Sequence, residues 1–215
     1  MRVTWWLAMM AGVAACAPVP APAPSSSTTG AATVNPARIN QVRRELPPGY
    51  EMGMLDPGAT PLSLWGLGTD WTADPAPCAQ LAAPAVDPAT FRGWSASGPG
   101  GIVYAAVARV VAPADPVLGE QCARWSVTGG RTFGAVHAID APMIEAAHTV
   151  GMAADLQTIV EGGTETRTHT DTFTAETEGY HCFVTLVTDP GSPNPPLGAE
   201  VAAELLRKTV SALRG

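Results

Sequence analysis

Between residues 164 and 174 the chain reads TETRTHTDTFT, with threonine at every second position. A period of two puts Thr164, Thr166, Thr168, Thr170, Thr172 and Thr174 on one side of an extended segment, and Glu165, Arg167, His169, Asp171 and Phe173 on the other. Threonine is β-branched and fits a pleated strand, so this segment commits the chain to a sheet. Two uses of the strand are open. In one, the charged side faces water, the threonine methyls pack on the domain, and neighbours such as Glu165–Arg167 and His169–Asp171 contribute little as exposed pairs. In the other, one side lines a polar cleft, where Thr166, Arg167, Thr168, His169, Thr170 and Asp171 offer donors and acceptors to a sugar or headgroup.

The rest of the folded part builds around that strand. Residues 102–111 and 180–187 are apolar on both sides, the pattern of central strands covered on both faces. Residues 132–139 and part of 148–160 supply further strands. Gly98-Pro99-Gly100-Gly101, Gly129-Gly130, Gly162-Gly163 and Pro190-Gly191 punctuate them, and Glu176-Thr177-Glu178-Gly179 is a hairpin turn. Asn35-Pro36 is a helix start, with a capping residue followed by proline at the first helical position. Ile39, Val42 and Leu46 follow before Pro47-Pro48-Gly49 stops the run. A short helix is expected from Asp74-Pro75, carrying Cys78 and Leu81. The last helix spans residues 199–213, with Val201, Leu205, Val210 and Leu213 on one stripe. Helix, strands, helix reads as an α+β fold: a mostly antiparallel sheet flanked by an N-terminal and a C-terminal helix.

The N-terminus reads as an address. Arg2 precedes an apolar stretch of signal-peptide length, and no stretch reaches the roughly 18 residues of a membrane-spanning helix. Val13-Ala14-Ala15-Cys16 resembles the bacterial lipobox, in which the cysteine is lipidated and the leader is cut before it. The resemblance implies a signal peptide over 1–15, a lipidated Cys16, and a protein held to the extracytoplasmic side of the cell membrane. Residues 16–34 form a Pro/Ser/Thr-rich tether with no face to bury, and 35–215 form a single domain. The sequence holds 12 Lys and Arg against 19 Asp and Glu, for a net charge of −7. Without a basic run it lacks what nucleic acid demands of a partner. The lipid, rather than the acidic surface, is then what holds the chain to anionic membrane.

Three cysteines remain for the domain, enough for one intramolecular bond. Cys78 and Cys122 lie in segments that read as short helices or loops, whereas Cys182 sits on a buried strand and behaves as a small hydrophobe. The pairing assigned is Cys78–Cys122, which spacing alone does not fix.

Catalytic signals are weak. Gly93-Trp94-Ser95-Ala96-Ser97 lacks the last glycine of a nucleophile elbow, and Gly98-Pro99-Gly100-Gly101 lacks the context of a phosphate-binding loop. Asp140, Glu145 and Asp155 are carboxylates without a visible partner. His169 and Asp171 share a side and supply two ligand types, short of the three or four a metal site needs. No catalytic residue, metal or cofactor is assigned. Trp65, Trp71, Trp94 and Trp125 are expected mostly in the core.

Several stretches resemble a family of mycobacterial lipoproteins carrying an uncharacterised domain. They are LPPGYE at 46–51, WTADPAPCAQLA at 71–82, GWSASGPGGIVY at 93–104, DAPMIEAAHTVGM at 140–152 and GYHCFVTLVTDPGSPNPPL at 179–197. The family is remotely similar to extracellular sensor domains of mycobacterial serine/threonine kinases. That likeness implies an antiparallel sheet with flanking helices and a cleft, although those domains have two disulfides and this chain has cysteines for one. The expectation is a membrane-anchored envelope lipoprotein whose sensor-like domain binds a small envelope ligand or a protein partner. A structural or adaptor lipoprotein without a small-molecule site is the alternative. A hydrolase acting on envelope lipid or glycan would need a Ser or Cys within hydrogen-bond reach of His137, His148, His169 or His181.

Overall fold

A computed structural model describes residues 33–112, 115 and 117–215. The leader, Cys16 and the tether through residue 32 lie outside the described residues. Among the described residues nine strands form one antiparallel sheet: β1 (Glu51–Met54), β2 (Trp71–Asp74), β3 (Val86–Gly98), β4 (Gly101–Val110), β5 (Arg124–Gly129), β6 (Thr132–Ile139), β7 (His148–Ile159), β8 (Glu165–Thr177) and β9 (Tyr180–Val187). Their spatial order is β1-β3-β4-β9-β8-β7-β6-β5-β2. The two runs apolar on both sides, β4 and β9, are neighbours, and the threonine strand β8 lies beside β9. The β8–β9 hairpin closes through Glu178 and Gly179, both at positive φ (50° and 77°), the conformation that a tight two-residue turn between twisted strands requires.

One face of the sheet, the front, carries two helical segments. A 3₁₀ helix, Pro36–Glu45, is capped by the Asn35 side chain, which accepts from the Ala37 amide at 3.1 Å, and buries Ile39 and Val42. The C-terminal helix α2 (Ala199–Arg214) follows α1 (Leu118–Gln121) in the chain and buries Ala202, Leu205, Leu206, Thr209, Val210 and Leu213. The expected stripe is displaced at its start, where Ala202 is buried and Val201 half-buried. Beneath these helices lie Trp94, Val103, Phe173, Val184 and Leu186. The Trp94 indole donates to the Ile39 carbonyl at 3.1 Å, tying the first helix to the sheet. Phe173 finds room because Gly151 stands opposite it on β7, where a Cβ would come within 3.0 Å of the ring.

The back face is covered by segments without long helices: a π-type turn at Ser63–Leu67, a 3₁₀ helix at Ala76–Leu81, and α1. A disulfide joins Cys78 to Cys122, fastening the Ala76–Leu81 helix to the end of α1. Trp65 and Trp125 pack there with ring centroids 6.2 Å apart, over Met152, Ala154 and Leu156. Cys182 is a buried free thiol, pushed up to about 12 mainly by burial. Such a thiol stays protonated at neutral pH and is a poor nucleophile.

Candidate functional site

The register of β8 places its two sides in different surroundings. On the back, Thr170, Thr172 and Thr174 are buried. The Thr172 hydroxyl accepts from the Trp65 indole at 3.1 Å and shares a hydrogen bond with the Thr185 hydroxyl at 3.0 Å. Buried hydroxyls need such partners, and these serve the core. Thr170 Oγ1 is buried without one. Thr166 and Thr168, nearer the start of the strand, are half-buried. The six residues singled out in the sequence divide by the alternation: Arg167, His169 and Asp171 face the front and the threonines the back, while Arg167, Thr168 and His169 still border one hollow.

On the front, α2 and the first helix shelter only part of the sheet. They cover Phe173 and the strands beyond it, and leave the other half of the face open. Cross-strand pairing sets out that open half in rows. Asp171 stands beside Ala153, then His137, then Arg124; His169 stands beside Asp155, then Ala135, then Ser126. Arg124, Ser126, Thr128, Phe133 and Ala135 are all exposed.

At the boundary between covered and open halves sits one polar cluster. His169 Nδ1 lies 2.7 Å from Asp155 Oδ1, and Nε2 lies 3.3 Å from Asp171 Oδ1. The Asp155 side chain is 69% exposed, His169 42% and Asp171 8%, so the cluster runs from water into the domain edge. The His169 ring is raised to about 9, above all by the hydrogen bond to Asp171, with Asp155 adding and burial opposing. At neutral pH it is an imidazolium held between two carboxylates, both nitrogens donating.

Two hollows border this histidine. One, of about 460 Å³, lies between β6–β8 and the start of α2, and is lined by His137, Asp140, Asp171, Phe173 and Glu200 among others. The other, of about 430 Å³, is lined by Asp155, Gln157, Arg167, Thr168 and Thr188. An exposed guanidinium, a fixed imidazolium, carboxylates and an exposed Phe133 on one open sheet face can engage a polar ligand that also has apolar surface.

The His169–Asp171 neighbourhood is legible in the alternation. Asp155 is missing from that reading because it arrives through the β7–β8 register, which the sequence does not display. Among the described residues no Ser or Cys side chain is hydrogen-bonded to an imidazole. None presents three or more His, Cys, Asp or Glu placed to hold a metal ion, and both His169 nitrogens are already engaged.

The architecture is that of an α+β domain with a single wide antiparallel sheet, helices over half of one face, and a disulfide-fastened cover over the other. Residues 35–214 match the model of a family described as a domain of unknown function, DUF5642, and the chain belongs to that family. No curated protein matches the chain. Among solved structures it is similar to an uncharacterized protein from Mycobacterium smegmatis, the Rv0999 ortholog. That protein is 25% identical with a TM-score of 0.61, over 85% of this chain and 98% of the other. A looser likeness is to the extracellular domain of PknH from Mycobacterium tuberculosis, at 13% identity and a TM-score of 0.41, over 84% of this chain and 94% of that one. The family and the remote likeness to a kinase extracellular domain are those expected from the sequence.

Proposed function

We propose that this chain is a lipid-anchored cell-envelope protein whose domain acts as a sensor-like binding module, taking a small polar envelope ligand on the open half of its sheet. The observation that carries the reading is the Asp155–His169–Asp171 cluster at the border of that open half, between two hollows. A charged triad fixed by its own hydrogen bonds presents preorganised groups, and preorganisation lowers the ordering cost of binding. Anchoring rests on the lipobox-like run ending in Cys16, whose acyl chains would each contribute about 0.8 kcal/mol per buried methylene.

A protein partner is the second reading. Phe133, 41% exposed, and Ile159, also 41%, bring apolar area to the polar face, a mixture that protein interfaces share. The hydrolase alternative has no His-activated nucleophile among the described residues and is not proposed. Native mass spectrometry of protein gently prepared from its own host tests the binding reading. A co-purifying small molecule supports it; bare protein across preparations counts against it; a stoichiometric second chain selects the partner reading.

A further inference from the structure

A separate cavity, of about 320 Å³, opens on the back of the sheet between strands β7–β9 and the disulfide-fastened Ala76–Leu81 helix. Its floor includes Thr174 and His181, which are 3% and 5% exposed, and its mouth includes Gln80 and His148, which are exposed. The pairing of three consecutive strands places His148 opposite Glu176 and Glu176 opposite His181, so an imidazole, a carboxylate and a second imidazole stand in one row.

The row leaves an unmet demand. His181 is buried, and neither ring nitrogen has a hydrogen-bond partner. Nδ1 lies 3.8 Å from Glu176 Oε1, too long for a hydrogen bond. Nε2 is likewise buried without a partner. A buried polar atom left in that state is costly unless something occupies the space beside it. The charged groups on the cavity wall are the carboxylates of Glu176 and Asp115, and among the described residues no Lys or Arg borders it. The His181 ring, and to a lesser degree His148, hold Glu176 below the usual carboxylate range, so it is ionised at neutral pH. Leu81 and Val150 supply apolar wall.

Two carboxylates, with a hydroxyl and an amide that can also accept, thus stand around an unpartnered imidazole and apolar wall, with no Lys or Arg among the described residues to neutralise them. A donor-only group with a positive charge matches them, and the volume suits a short carbon body. We infer that this cavity binds a compact primary ammonium compound, its ammonium on Glu176 and its carbon chain along Leu81 and Val150. The amine is either a free small molecule or the end of a longer chain.

The test is calorimetry on the full-length protein in detergent, with n-butylamine for the free amine, triglycine amide for a chain end, and 1-butanol as the uncharged control. Saturable binding of one or both amines is expected, with the alcohol at least tenfold weaker. Glu176→Gln should weaken the amine at least tenfold, while Glu161→Gln, at an exposed carboxylate away from both faces' sites, leaves it unchanged. Should Glu176→Gln fail to fold by circular dichroism, Val150→Phe, which narrows the cavity, takes its place and should abolish binding. Binding by neither amine, equal binding by the alcohol, or full binding in the folded cavity variant overturns the inference. The amine that binds identifies the source.

Discussion

The His169 ring keeps its proton to a pH of about 9 because Asp171 and Asp155 stabilise the charged form against partial burial. A histidine whose folded pKa lies above its unfolded value of about 6.5 stabilises the fold fully below that unfolded value, and the contribution is lost as pH rises through about 9. The ring is 42% exposed, so screening by water leaves on the order of 1 kcal/mol rather than the full linkage. Urea melts at pH 6 and pH 9.5 should show the wild type losing about that much more stability than His169→Gln over the interval. Equal losses in the two proteins would remove the ion cluster from the account. Thr172 poses the complementary case. Thr172→Val keeps the shape and strands the Trp65 indole N–H and the Thr185 hydroxyl, which should cost about 1–3 kcal/mol in the same assay. The alternation of residues 164–174 made both sides of this strand legible, yet not which end of it would be buried. That depends on where α2 stops over the front and where the Trp65 segment covers the back, which no local pattern records.

Elements with strong internal patterns were readable and those defined by their neighbours were not. β4, β9 and α2 announce themselves through apolar runs and a helical stripe. β1 is exposed along its whole length and is a strand only because residues 94–97 of β3 pair with it. β2 is four residues long and rests on β5. β3 contains Pro88 and a register shift between Asp87 and Arg92, which breaks the even rhythm a strand would show. The C-terminal helix is the element on which the front core depends: Leu206 is fully buried, and Leu206→Ala should cost about 2–5 kcal/mol by thermal or chemical denaturation. The disulfide acts on the other face. Its cysteines are 44 residues apart, and closing a loop of that size restricts the unfolded chain. Cys78→Ala with Cys122→Ala should lose about 2–5 kcal/mol of stability, and hydrogen exchange should quicken first in residues 76–83 and 118–122 rather than in β4 and β9. Uniform quickening would mean that the back cover does not open separately.

For the molecule as a whole, two faces of one sheet have different characters. The back is closed by a fastened cover over a cavity, and the front is half open around a charged cluster. Among the described residues no helix is long and apolar enough to cross a membrane, and attachment in this account rests on Cys16. Cys16→Ala should move the protein from the membrane to the soluble fraction; retention on the membrane would defeat the lipid assignment. The central claim is that the open front binds an envelope ligand. Hydrogen–deuterium exchange of the full-length protein, with and without an extract of its host's envelope, tests it most directly. The account predicts slowed exchange in residues 133–139, 153–157 and 165–171, abolished by combining His169→Ala with Asp155→Asn. Unchanged exchange in those segments, or protection confined to the exposed strand β1, would contradict it.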